Sequence, residues 1–304
     1  MPAAFREFIA DIEDNIYEED NAFILNSVSH DAFVTGKKVR IPQAGTFPND
    51  VQKDRTVFPI PVNERADSFI EYDLAKYDTG AIKIDDVEEI RTTYSLRQSI
   101  MADFQGVMFE RIAAETIFAW AATGSTRIKR TSGSTSTENL PHDTATGSRR
   151  KLLPEDIAKA VRQLDRDKVP ASDRFCVIPY FMYYDLFTID NLLRKDVMDK
   201  TTLPDGVIDK ILNLNFIKRT SSQLYDATGT PVKKAVGAAE AADDNGSIVV
   251  WQKGKVAKAL GEIKFFANNE DAVYQADIFS SYVLHAAKVL RSDNAGIAAI
   301  VQIA

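Results

Sequence analysis

A single cysteine and three histidines are all that this 304-residue chain offers of the side chains that most often hold metals or attack carbonyls. Cys176 alone excludes an intrachain disulfide, which fits a reducing compartment. It sits in the apolar run RFCVIP, which reads as a buried strand, and no histidine or asparagine accompanies it nearby. An inert core thiol is the reading that follows. His30, His142 and His285 stand apart from one another and from Cys176, so no metal-ligand spacing arises. Phosphate-cradling glycine loops, zinc-peptidase helices and nucleophile elbows are all missing. No apolar run approaches the thickness of a bilayer, and the acidic stretch MPAAFREFIADIEDNIYEED lacks the apolar core of a signal peptide. The pairs Asp85-Asp86, Glu88-Glu89 and Asp243-Asp244 suit helix starts and turns, while Glu110 and Glu115 read as salt-bridge partners on a helix. No catalytic constellation emerges, and no cofactor is expected.

What is present is ordinary in bulk. Hydrophobic residues make up 45% and charged residues 27%, the balance of a globular protein with one large domain or two modest ones. Against 44 acidic side chains stand 37 basic ones, and the net charge of −7 opposes overall attraction to phosphate backbones. A local basic patch remains compatible with that balance.

The arrangement carries more information. Residues 3–17 place Phe5, Phe8, Ile9, Ile12 and Ile16 on one helical face, a helix that docks either on its own core or on another subunit. From Gly36 to Ile84 runs a charge-studded ribbon in which Pro42, Pro48, Pro59 and Pro61 forbid helix. Its segments KKVRIP, RTVFPIPV and SFIEYDLAKYDTGAIKI have strand-like spacing, which favours an ordered two-stranded arm over a structureless loop. One long helix is expected from Asp85 to Ala122, with Ile100, Met101, Phe104, Val107, Met108, Ile112 and Phe118 as its apolar stripe and Gly106 at a close packing.

Residues 123–151 are rich in Ser, Thr and Gly and include Arg127, Lys129, Arg130, Arg149, Arg150 and Lys151, which reads as a mobile basic loop. Beyond it the pattern becomes α/β. Pro154 opens a short helix, Phe175–Ile178 is a strand, and Pro179 opens a second helix through YFMYYDLFTIDNLL. KILNLNFIKRTSS reads as a strand pair, Asn245-Gly246-Ser247 as a tight turn, and Asn268-Asn269-Glu270-Asp271 as a polar turn between two strands.

This order of parts resembles the major capsid protein of tailed bacteriophages, the Hong Kong 97-type shell fold that encapsulins share. Three stretches carry most of the likeness: LLPEDIAKAVRQLDRDKVPASDRFCVIP, DGVIDKILNLNFIKRTSS and HAAKVLRSDNAGIAAIVQ. Where many relatives have glycine before an aromatic, this chain has Asn215-Phe216, and asparagine tolerates the left-handed backbone glycine would supply.

The resemblance implies an α+β capsid fold: an N-arm over 1–34, an extended E-loop over 35–84, a peripheral domain with a spine helix and the basic loop over 85–151, an axial domain over 152–250 and a return to the peripheral domain over 251–304. It implies a structural, non-enzymatic protein of the virion that assembles in the host cytoplasm as hexamers and pentamers of an icosahedral shell. The shell encloses double-stranded DNA without sequence-specific binding, and scaffolding, portal and decoration proteins are possible partners; no membrane is involved. Candidate inter-subunit contacts are Phe5, Phe8, Ile12, Lys37, Lys38, Arg40, Lys53, Asp54, Arg55, Glu64 and Arg65. Some relatives crosslink an E-loop lysine to a neighbour's asparagine, for which Lys53 and Asn268 or Asn269 have the right residue types. The rival readings are an encapsulin-like compartment and, in a different class, an α/β enzyme with the ribbon as its lid.

Overall fold

The computed structural model describes residues 19–43, 53–56, 58–59, 68–85, 96–188, 210–271, 273–291 and 293–303, with the backbone alone over 96–105. After a 3-10 helix, Glu19–Leu25, come the short strands β1 (Val28–Ser29) and β2 (Val34–Thr35) and the arm strands β3 (Lys38–Gln43) and β4 (Ser68–Asp73). Strands β5 (Ala75–Asp78) and β6 (Ile82–Asp85) precede the long helix α1 (Leu96–Trp120). Next are β7 (Ile128–Arg130), β8 (Thr135–Ser136), β9 (Arg149–Arg150), helix α2 (Pro154–Arg166), β10 (Arg174–Pro179) and the helical turn α3 (Tyr180–Tyr183). The rest is β11 (Lys210–Ile211), β12 (Leu214–Arg219), β13 (Ser247–Gln252), the long pair β14 (Val256–Asp271) and β15 (Ala276–Val289), and β16 (Ile297–Val301).

A mixed sheet of order β11-β12-β10-β13-β16-β7 is covered on both faces. Its central strands are therefore apolar throughout instead of alternating with polar residues. Val177, Val249, Trp251, Ala299 and Val301 pack with Ala113, Ile117 and Trp120 of α1. Cys176, Ile178, Ile248, Val250, Ala298 and Ile300 point the other way, to Ile157, Ala160 and Leu164 of α2 and to Phe181 and Met182. Helix α2 starts as its sequence dictates, with Pro154 in the first turn and Asp156 turned back to accept from Leu153 N at 3.3 Å. The Cys176 thiol is buried, and its pKa is raised by that burial, as an inert core thiol requires.

A second sheet is built on the β14–β15 hairpin, with β1 on one edge and β5 and β6 along the other. Ile263 and Val283 of this sheet pack against Met108, Phe109 and Ile112. One helix thus serves both sheets: its middle seals one and its C-terminal end seals the other. The arm is a separate three-stranded sheet, β2-β3-β4.

The fold departs from the sequence expectations at several points. Asp85 does not open the helix: it ends β6, paired with Ala276, because a neighbouring strand satisfies its backbone. Val107 is 73% exposed, and a β-carbon on Gly106 would meet nothing within 4 Å, so neither marks a close packing. Segment 123–151 is ordered: β7 runs parallel to β16, β8 pairs β9, and the guanidinium of Arg149 is buried among the carbonyls of Thr146, Ser148, Ala242 and Asp244. The helix after Pro179 is one turn, α3, continued as 3-10 helix over Tyr184–Thr188.

Asn245 is bonded to Tyr225 through both backbone groups at 2.9 Å, and Gly246 leads straight into β13. Glycine is required there because a β-carbon would lie 2.5 Å from Phe181 Cζ. In the 210–219 hairpin the left-handed residues are Leu212 (φ 50°) and Asn213 (φ 62°), the pair a tight two-residue turn needs, and Asn215 is an ordinary strand residue. Strand β14 continues through Asn268 and Asn269, and the turn comes at Asp271–Gln275. Strand β16, placed by sequence with the peripheral part, lies between β13 and β7 in the six-stranded sheet. The expected helix over 3–17 lies outside the described residues.

Replacing Trp120 by alanine should lower the unfolding free energy by about 3–5 kcal/mol, the usual cost of emptying a large aromatic site. Denaturant titration measures this; a loss under about 1 kcal/mol contradicts a core shared through this side chain.

Candidate assembly site

The arm begins as a short-range consequence of sequence. Strands β3 and β4 pair Lys38 with Asp73 and Arg40 with Glu71, and those opposite charges meet at 3.9 and 2.8 Å. The Arg40 guanidinium also lies 4.1 Å from the Phe69 ring centroid, with Phe69 itself exposed. Such exposed cross-strand pairs contribute only a few tenths of a kcal/mol each, roughly, and they set register more than stability.

The arm's root is where it is held. Val39 and Leu74 are buried against Ala259, Leu284 and Ala286, with Val34, Ile41, Tyr72 and Tyr282 around them. Leu74 interrupts β4 and β5, donating its N–H to Lys37 O at 2.8 Å, and its side chain fills the space over Gly261. A β-carbon on Gly261 would stand 2.6 Å from Leu74 Cδ2 and 2.9 Å from Leu284 Cβ. The ladder of β14 and β15 shifts register here, between Leu260 and Ile263, which shapes the seat.

A polar cluster lies beside this small core. His30 Nδ1 meets the Tyr72 hydroxyl at 2.9 Å, and Asp31 Oδ1 accepts from Leu260 N at 2.6 Å. Lys288 Nζ donates to Glu71 O at 2.8 Å, with its ammonium 5.6 Å from the Tyr72 ring centroid. His285 is buried between these groups, and its Nε2 has no hydrogen-bond partner among the described residues. Burial, reinforced by the Lys258 charge and opposed by Asp31, pulls its pKa down to about 4. Burial also lowers Lys258 and His30 and raises Tyr72. Tyr77, whose ring faces His285, is pushed up to about 12 by burial and then by Glu115.

The far side of α1 is tied down separately. Lys233 Nζ donates to Phe118 O at 2.7 Å and to Ala121 O at 3.4 Å, over the Phe118 ring, a cation placed where the helix dipole is negative. Burial lowers its pKa. Glu110 and Glu115 form the salt bridges expected of them, to Arg219 at 2.5 Å and Arg111 at 2.8 Å.

Of the candidate contact residues, Lys37, Lys38 and Arg40 lie on the exposed part of the arm, and Lys53 and Asp54 are exposed near its tip with Arg55 half-buried. Phe5, Phe8, Ile12, Glu64 and Arg65 lie outside the described residues. Asn268 Nδ2 is engaged within its own turn, donating to Asp271 at 2.6 Å, and the side chain of Asn269 is outside the described set. The anchor residues His30, Tyr72, Leu74, Gly261 and His285 were not legible in sequence. They come from four separated segments, and only Gly261, a glycine inside a strand pattern, carried a local hint of close approach.

Among the described residues the arm is exposed along most of its length and rooted in a small core. The comparison with known families names the class of protein. A family model described as phage capsid protein matches residues 14–296, and the chain belongs to that family.

Solved structures of similar fold include the capsid of the cyanophage P-SCSP1u, 20% identical over 91% of this chain and 85% of that one, with a TM-score of 0.63. The capsid of a native GTA particle is 9% identical over 94% and 91%, with a TM-score of 0.62. A virus-like particle from Pyrococcus furiosus is 10% identical over 99% of both chains, with a TM-score of 0.54. A search of curated proteins finds no match. The architecture is the Hong Kong 97-type capsid fold, and the chain is a structural major capsid protein of the virion.

His285 gives a pH test of the arm's root. Because its folded pKa lies below the ordinary 6.5, the unfolded chain binds the proton first, and stability falls as pH drops from about 6.5 toward about 4. Unfolding at pH 5 should cost about 2 kcal/mol less than at pH 7.5 on this account. In His285→Leu that part of the pH dependence should vanish; an unchanged profile in denaturant titrations rules the assignment out.

Proposed function

We propose that this subunit assembles as hexamers and pentamers of a closed icosahedral shell around double-stranded DNA, built in the host cytoplasm and without catalysis of its own. The observation that carries the reading is the arm: a three-stranded sheet whose outer residues, among those described, are charged or exposed, with a core of described residues at its root. Contacts of this kind are weak singly and become decisive when a closed lattice repeats them. Lys37, Lys38, Arg40, Lys53, Asp54 and Arg55, with Glu64 and Arg65, are the charges that would set the arm's register on a neighbour. Phe5, Phe8 and Ile12 would bury the apolar face of the N-arm in the same lattice. Scaffolding, portal and decoration proteins would be separate chains, and a Lys53 crosslink to Asn268 or Asn269 of a neighbour would appear as a ladder in denaturing electrophoresis of shells.

The encapsulin-like compartment shares this fold and differs in content: a protein cargo in place of a genome. Negative-stain electron microscopy of purified protein should show uniform polyhedral shells, and small particles alone would sink the reading. Deleting residues 45–57 should leave a folded, soluble subunit that cannot close shells. Normal shells from that deletion would refute the arm's role.

A further inference from the structure

One surface departs from the acidic character of the chain. Residues 127–168 carry ten basic against six acidic side chains, within a chain of net charge −7. The fold gathers several of them where the C-terminal end of α2 meets β7 and the turn before β16. Lys129 Nζ reaches Gln163 Oε1 of α2 at 3.4 Å. Arg127 is held by the Asp167 carboxylate and donates to Asp293 O at 3.2 Å.

Arg291 pairs with Asp293 at 2.7 Å, and Gly296 N donates to Asp167 Oδ2 at 3.3 Å. Lys255 lays its stem across Gly296, where a β-carbon would come 2.3 Å from its Cγ. Arg162 and Arg166, one turn apart on the exposed side of α2, make no hydrogen bond or ion pair among the described residues. Arg127, Lys129, Arg162, Arg166, Lys255 and Arg291 therefore share a face with three carboxylates, Asp165, Asp167 and Asp293, each already bound by an arginine. The crowding is felt at Lys129, whose pKa is lowered by burial and then by the Arg127 and Arg166 charges.

The geometry points to this face as a sequence-independent docking surface for the phosphates of double-stranded nucleic acid. Charge is the recognition element. None of the exposed large apolar side chains among the described residues lies on α2, β7 or the turns beside them, so the patch lacks the desolvated apolar centre of a protein–protein interface. Flexible cations on a convex helix face suit phosphates, whose neutralisation releases counterions and needs no base-reading element. The net charge of −7 opposes a general attraction of the subunit to phosphate, so binding depends on a local group of cations such as this one. The surface is separate from the arm, and its failure would leave shell assembly standing.

The test uses the unassembled full-length chain and a fluorescently labelled duplex of mixed sequence, with anisotropy read between about 50 and 200 mM salt. About four phosphate contacts should give a log–log salt slope near −4 and roughly a hundredfold weakening across that range. Arg162→Glu/Arg166→Glu should reduce the slope by about 2 and weaken binding at least about tenfold at low salt. Lys210→Glu, an exposed cation on another strand, should bind as the parent does. Both arginines lack partners among the described residues, so circular dichroism should be unchanged, and Arg162→Gln/Arg166→Gln offers a milder second variant. Absence of binding at low salt, or an unchanged slope in both double variants, overturns the proposal. So does competition by polyglutamate as effective as by duplex at equal charge, which would mark an acidic protein partner instead.

Discussion

Trp120 and Trp251 bring their indoles to 5.3 Å, and Phe23 meets both edge-on at 6.0 and 6.2 Å. Each indole N–H is spent on a different segment: Trp120 donates to Ala257 O at 3.3 Å, and Trp251 donates to Asn26 O at 2.8 Å. This aromatic knot joins the end of α1, the start of β14, the middle of the six-stranded sheet and the segment leading out of the N-terminus. The hydroxyl of Tyr225 and the ammonium of Lys233 close the last carbonyls of the helix beside it. Because one helix serves both sheets, its fixed end sets where the β14–β15 hairpin starts, and the hairpin in turn sets where the arm is rooted.

The arm inherits its position from that chain of dependence and its weakness from its own composition. A few side chains around Leu74 and Val39 hold it, flanked by the His30–Tyr72 contact and the buried His285. On the proposed reading, a root this small would leave the outer part of the arm to meet neighbouring subunits, where repetition multiplies modest contacts. The charges are divided in kind: the arm pairs opposite signs across its strands, whereas Arg162 and Arg166 on the exposed side of α2 stand beside Arg127 and Lys129 of the neighbouring segment.

Local rules made much of this readable in advance. Pro154 and the spacing of Ile157, Ala160 and Leu164 declare α2, and the unbroken apolar run around Cys176 declares a strand buried on both faces. The prolines of the ribbon exclude helix, and Glu110 and Glu115 announce ion pairs. Where local propensity met a tertiary partner it lost. Asp85 has the chemistry of a helix start and became a strand end opposite Ala276; Arg149 looked like a solvated loop cation and is buried among carbonyls.

By itself the sequence determined the outline: the short helix opened by Pro154, the buried strand around Cys176, and an extended arm ahead of a long helix. These follow from neighbours along the chain, where periodicity, proline and charge act over a few residues. Tertiary structure alone decided that β16 inserts between β13 and β7, that Leu74 sits on Gly261, and that His30, Asp31, Lys258 and His285 converge. Those placements depend on desolvation and close packing between segments more than two hundred residues apart, which no local pattern encodes.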